Sequence, residues 1–176
     1  MIAALLRALD FAAERHSAQR RKGPNGAPYV NHLIEVATLL VTEGGVDDVE
    51  VLVAAVLHDV IEDTETTLAE VQMRFGEKVS LLVASLTDDK RLPRAERKRL
   101  TLERLQHASP ATKVVKLADL CSNIRAFPVD WSLQRSLEYL AWSRRAAELC
   151  GGENPGLEAL YGRRWQATHD ALTSVR

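Results

Sequence analysis

Hydrophobic positions recur every three or four residues through nearly the whole chain, and no stretch shows the two-residue alternation of a strand. Ile2, Leu5, Leu6, Leu9, Ala12 and Ala13 mark one face of a first helix between Met1 and His16. The stretch Arg21–Pro28 (RKGPNGAP) breaks it with two glycines and two prolines. A second helix is predicted from Asn31 to Glu43, stopped by Gly44-Gly45. Asp47 or Asp48 caps a third, Val49 to about Asp63, whose middle (VLVAAVL) is apolar on every side and must be enclosed. Thr67 and Glu70 form a capping box for a short fourth helix ending near Gly76. Val79–Leu86 reads as a fifth, and Pro93 opens a sixth whose ERKRLTLER run suits a solvated face. Ser109-Pro110 starts a seventh reaching about Arg125, and Ser132 caps an eighth that stops at Gly151-Gly152. Asn154-Pro155 begins the last, with Leu157, Leu160, Tyr161 and Trp165 on one side. Without repeats, low-complexity tracts or long linkers, the expectation is one all-α domain over residues 1–176, a bundle of about eight to ten helices.

The enclosed third helix contains the least compatible residues. In LHDVIED, from Leu57 to Asp63, His58 shares a helix face with Glu62, and Asp59 with Asp63. Four ionisable groups in one buried turn need a partner, a metal or a wet cleft, because burying them unpaired is costly. The other reading is that the helix simply ends here and the four groups reach solvent. His32 opens an otherwise apolar helix (LIEVATLL), where a histidine taken alone is a cap or a surface residue. Lys116, Asp119 and Asn123 lie on one side of a further apolar helix (KVVKLADLCSNI); taken singly, Asp119 is a salt-bridge partner of Lys116 or Arg125. Together His32, His58, Asp59 and Asp119 make a mixed nitrogen–oxygen set that suits Mn²⁺ better than structural zinc, with Zn²⁺ and Fe²⁺ as alternatives.

Composition narrows the partners. Twenty-three basic and 24 acidic residues leave a net charge of −1, no bulk field for a nucleic acid polymer or an anionic membrane. Aromatics at 5% argue against base-stacking platforms for single strands. The start of the chain is interrupted by Arg7, Asp10, Glu14 and Arg15, unlike a secretory signal, and the longest apolar run, Val51–Leu57, is far short of a membrane span. Cys121 and Cys150 read as buried free thiols in a reducing compartment, so a cytoplasmic protein is expected. A homodimer is left open.

The order H…HD…D resembles the signature of HD-domain phosphohydrolases, an all-α superfamily of metal-dependent enzymes. The resemblance is closer to the hydrolase domain of the RelA/SpoT family, and closest to its small stand-alone members, the metazoan SpoT homologues. It rests on RKGPNGAPYVNH, LHDVIEDTETT, TDDKRLPRAERKR, KLADLCSNIR and WSLQRSLEYLAW, covering about residues 18–145, with C-terminal helices over 132–174 packing on that core. The resemblance implies hydrolysis of guanosine tetra- and pentaphosphate, (p)ppGpp, with removal of the 3′-pyrophosphate to leave GDP or GTP. It implies that His32, His58, Asp59 and Asp119 hold Mn²⁺, and that Glu62 and Asp63 orient the attacking water and manage its proton. Arg21 and Lys22 match a basic pair that contacts the nucleotide, and Asn123 matches an asparagine that reaches its sugar or 3′-phosphate. Tyr29 is either pocket lining or core, and Trp131, Tyr139 and Trp142 are expected in the core. His16, Glu65, His107 and His169 are expected at the surface without a role.

Three departures stand out: Leu120 where the family usually has Lys or Arg, Cys121-Ser122 where Leu and an aromatic or His are common, and Leu33 for the usual Pro. A lost positive charge beside the metal would alter phosphate affinity or nucleotide preference. The chain also lacks room for a synthetase domain, so a hydrolase without synthetase activity is expected. Two other functions stay open: a phosphatase on another ribose phosphate, such as the 2′-phosphate of NADPH, and a catalytically silent nucleotide-sensing module.

Overall fold

The computed structural model describes residues 2–22, 26–125 and 127–174, so the Gly23-Pro24-Asn25 part of the predicted loop lies outside the described residues. Among them are ten helices: α1 (Ile2–Arg15), α2 (Val30–Thr42), α3 (Val49–Leu57), α4 (Val60–Asp63), α5 (Leu68–Phe75), α6 (Glu77–Leu86), α7 (Arg94–Gln106), α8 (Pro110–Asn123), α9 (Leu133–Leu149) and α10 (Pro155–Ser174). The fold is all-α; the one extended pairing among the described residues is an isolated bridge between Arg20 and Pro28 at the base of the loop. The local signals act as their chemistry requires. Asp48 accepts from the Glu50 and Val51 amides, Thr67 from Glu70, Ser109 from Thr112 and Ser132 from Arg135.

The predicted third helix is in fact two. His58 and Asp59 form a turn between α3 and α4, with Asp59 at φ −100°, ψ −3°, in the sparsely populated bridge region. The His58 ring bonds back to the Ala55 carbonyl at 2.7 Å, competing for an oxygen that a continuing helix uses for its own backbone ladder. Since His58 itself stays helical in backbone, the break is small, and the hydrophobic period runs through it unchanged.

Every residue of α3 from Val51 to Leu57 is buried, and each Val or Leu enclosed in this way contributes roughly 1.5–3 kcal/mol. Helix α3 packs against α1, α2 and α6; α8, nearly as enclosed, packs against α2, α6, α9 and α10. One core cluster joins them, from Ala8 in α1 to Tyr161 in α10. The start of α10 is locked to the end of α2. Asn154 donates its side-chain amide to the Gly44 carbonyl at 2.8 Å, and a Cβ on Gly156 would stand 2.0 Å from the Glu43 carbonyl oxygen, so only glycine allows that approach. Among the described residues no helix is long and apolar enough to cross a membrane.

Candidate metal centre

Three structural elements aim polar groups at one point inside this apolar frame. Helix α2 supplies His32 from its first turn, the α3–α4 turn supplies His58 and Asp59, and the middle of α8 supplies Asp119. His32, His58 and Asp59 offer ligand atoms that all lie within 4.8 Å of one another. Asp119 closes the group: its Oδ1 is 3.2 Å from His32 Nε2 and 3.7 Å from His58 Nε2. Asp59 Oδ2 stands 3.0 Å from His58 Nε2 and 3.6 Å from His32 Nε2. His58 is buried and the side chains of Asp59, Glu62 and Asp63 are largely enclosed, so the alternative reading, a helix end whose acids and histidine reach solvent, does not hold.

Each of these groups is oriented from behind. His58 Nδ1 faces the Ala55 carbonyl, and His32 Nδ1 lies 2.9 Å from Ser122 Oγ. Tyr29 donates its hydroxyl to Asp59 Oδ2 at 2.7 Å. Asp119 accepts from Lys116 Nζ at 2.8 Å and from the Asn123 side-chain amide at 2.6 Å. Burial works against both carboxylates, yet neighbouring cations, His58 beside Asp59 and Lys116 beside Asp119, hold them well below the usual carboxylate range. Burial pulls His58 down, but the Asp59 and Asp119 carboxylates outweigh it and push the imidazole up to about 10.

The residues fit a divalent metal. His58 Nε2 is buried without a hydrogen-bond partner, although it faces the acids. An imidazole whose Nδ1 is occupied by a carbonyl carries its proton there and leaves the Nε2 lone pair for a metal. Two such nitrogens and two carboxylate oxygens are a donor set of the kind borderline divalent ions take.

The acidic pair Glu62-Asp63 divides. Glu62 accepts from the Asp88 amide at 3.1 Å and has Arg97 at 3.6 Å; burial, followed by the Asp59 charge, raises its pKa above the usual range. Asp63 is paired with Lys90, and its backbone carbonyl accepts from the Gln19 side chain. Helix α7 has the solvated face expected of it, with Arg94, Ala95, Arg99, Glu103 and Arg104 exposed, while Arg97, Thr101 and Leu105 turn inward.

A cleft of about 950 Å³ opens over the cluster, lined by Arg20, Arg21, Lys22, His32, Asp63, Lys90, Asn123 and Arg125 among others. Arg21 is not a free loop cation: it donates to Ser122 Oγ at 3.1 Å and to Asn123 Oδ1 at 3.0 Å. Lys22 is exposed at the rim. Trp131 and Tyr139, expected in the core, also line the cleft, with the Arg94 and Arg135 guanidiniums over the Trp131 ring at 5.1 and 4.4 Å.

Other expectations are revised. His16 is buried, with its ring stacked on Tyr29 at 5.0 Å between centroids, and burial lowers its pKa. Glu65 and His107 are exposed, as expected. Leu120 and Leu33 are fully enclosed in the core, so the lost charge at 120 does not face the cleft and leaves its cationic rim intact. Glu35 was not singled out in the sequence, and Ser122 only as part of a departure from the family pattern, without a role. Glu35 carried a signal, as the lone acid within LIEVATLL, but nothing at Ser122 pointed to its partners, because a serine in a helix is compatible with any surroundings.

A family model described as HD domain matches residues 8–138. The chain is 50% identical over 160 residues to the human protein named guanosine-3′,5′-bis(diphosphate) 3′-pyrophosphohydrolase MESH1, covering 89% of each, and 41% identical to its Drosophila melanogaster namesake at the same coverage. A solved structure described as a metazoan ortholog of SpoT that hydrolyzes ppGpp superimposes with a TM-score of 0.90 at 39% identity, covering 94% of this chain and 95% of that one. An HD domain implies a divalent metal, which the histidine–aspartate cluster accommodates. The chain belongs to the HD-domain family and, within it, to the metazoan SpoT homologues.

Proposed function

We propose that the protein is a cytoplasmic, Mn²⁺-dependent hydrolase that removes the 3′-pyrophosphate from (p)ppGpp, giving GDP or GTP and pyrophosphate. The observation that carries this reading is the enclosed two-histidine, two-aspartate cluster under a cationic cleft. The names of the similar proteins supply the substrate.

His32, His58, Asp59 and Asp119 would hold the ion. When bound, it supplies Lewis acidity toward a phosphoryl oxygen and makes water more acidic. Glu62 accepts the proton of the attacking water. Its raised pKa brings a carboxylate closer to neutrality, where proton transfer is most effective, and the Asp88 amide and Arg97 hold it in place. Asp63, paired with Lys90, aligns that lysine at the cleft wall rather than moving a proton itself. Arg21, fixed by Ser122 and Asn123, offers a planar fork for phosphate or a face for the purine, and Lys22 adds a mobile charge. Asn123, already bonded to Asp119 and Arg21, joins the metal corner to the nucleotide side.

Incubating the protein with ppGpp or NADPH, in Mn²⁺ or EDTA, tests the reading. Pyrophosphate from ppGpp in Mn²⁺ alone is the expected result. Orthophosphate from NADPH without pyrophosphate from ppGpp would assign a ribose-phosphate phosphatase, and no release from either would leave a binding module.

A further inference from the structure

The two histidines of the cluster are oriented by different means. His58 Nδ1 meets a backbone carbonyl, which can only accept, so the fold keeps a proton on Nδ1 whatever happens at Nε2. His32 Nδ1 meets the Ser122 hydroxyl at 2.9 Å, and a hydroxyl can donate or accept. Something else must decide which nitrogen of His32 carries the proton.

We propose that Ser122 and Glu35 form a positioning relay that fixes the His32 ring for its cation, and that Arg164 of the C-terminal helix completes it. Ser122 donates its single proton to Glu35 Oε2 at 2.9 Å. Arg21 Nη1, 3.1 Å from Ser122 Oγ, can only donate to that hydroxyl oxygen. With its proton committed to Glu35, Ser122 has only a lone pair for His32. The imidazole proton therefore sits on Nδ1, and the Nε2 lone pair faces Asp59 and Asp119.

The relay works only while Glu35 is ionised. Burial opposes that charge, but the Ser122 bond and the Arg125 and Arg164 guanidiniums hold its carboxyl below the usual range. Arg125 Nη1 lies 3.1 Å and Arg164 Nη1 3.3 Å from Glu35 Oε1, with Arg21 at 3.7 Å from Oε2. Arg125 is exposed, whereas Arg164 is largely enclosed and also donates to the Cys121 carbonyl at 2.8 Å. Arg164 comes from α10, which starts at Pro155, beyond the end of the family-model match at 138. One carboxylate thus ties the C-terminal helix to the metal corner.

The proposal rests on His32 being a ligand, and the test separates the two. Metal-stripped full-length protein is titrated with Mn²⁺, following the free ion by paramagnetic resonance. The His32 tautomer is read from a long-range proton–nitrogen correlation spectrum of labelled metal-free protein. Wild type is expected to show the Nδ1–H form. Ser122→Ala is expected to lose that single form and to bind Mn²⁺ about 10- to 100-fold more weakly, the usual loss for an outer-shell partner. Glu35→Gln, which keeps the volume, should move both readouts the same way, and Arg164→Met should move them less. If Ser122→Ala does not fold, Glu35→Gln carries the test. Wild-type Mn²⁺ affinity together with an unchanged tautomer in the folded variants would overturn the relay. Wild-type Mn²⁺ affinity in His32→Ala would instead overturn the ligand reading, whereas metal loss in His32→Ala with unchanged Ser122→Ala and Glu35→Gln would remove the relay alone.

Discussion

The floor and the rim of the cleft are built by opposite means. On the floor, His32, His58 and Asp119 are buried on three separate elements, and each is held by a partner behind it: Ser122, the Ala55 carbonyl, and Lys116 with Asn123. At the rim, Lys22 and Arg125 are exposed and Lys90 is half-exposed, all three outside the helices. Groups locked in a dry interior keep their geometry and act at full electrostatic strength, which suits bond breaking. Charges on exposed connections adjust to what arrives and are screened by salt, which suits selecting and drawing in an anion. The same fold separates the chemistry from the choice of substrate.

The floor should be the most sensitive to damage. Asp119→Ala removes a proposed ligand and also leaves the Lys116 ammonium, which Asp119 now holds well above the ordinary lysine range against burial, without its partner. Mn²⁺ binding and turnover are expected to vanish. Breaking such a buried pair costs about 3–5 kcal/mol, readable in urea denaturation of the metal-free protein. Retained metal binding would show that the floor is not the cation site.

Glu62, held by the Asp88 amide and Arg97 one turn beyond His58 in the chain, gives the next largest effect. Glu62→Gln is expected to bind Mn²⁺ as wild type does, while kcat drops by about 10²–10⁴. A base must be ionised, so wild-type kcat should fall as pH drops through the Glu62 pKa. Because burial and Asp59 raise that pKa, the acid limb should lie above the ordinary glutamate range, and the Gln variant should lack it. Equal metal loss in the Glu62 and Asp119 variants would move Glu62 from proton acceptor to ligand.

The division between floor and rim was only partly legible in the sequence. Helices, caps and the conspicuous polar residues could be read because each signal is local: an acid or histidine amid VLVAAVL or KVVKLADL has no bland place to go. The turn at His58-Asp59 was hidden, because a backbone change that leaves His58 helical and shifts only Asp59 leaves the hydrophobic period intact. His16 was misread because burial at a helix end depends on what packs over it, here Tyr29, and no spacing rule encodes that. Trp131 was assigned to the core as a large aromatic, yet it sits between two arginines on the cleft wall. Ser122 stood out only as a departure from the family pattern; its three partners, His32, Glu35 and Arg21, are distant in sequence and no local signal names them.

The smallest effects belong to the rim, and salt should set them apart. Lys22→Ala removes an exposed charge that contacts nothing on the floor, so kcat should hold while KM for ppGpp rises severalfold at low ionic strength. Near 1 M salt the screening length falls to about 3 Å, and wild type and variant should converge. Lys90→Ala should not converge fully, since Lys90 also pairs with Asp63, next to Glu62 in the chain. Its salt-dependent part should resemble that of Lys22→Ala, with a residual loss of kcat persisting at high salt. A Lys22 effect that survives high salt would place that side chain in direct contact with the reacting phosphate, and the rim would then be part of the floor.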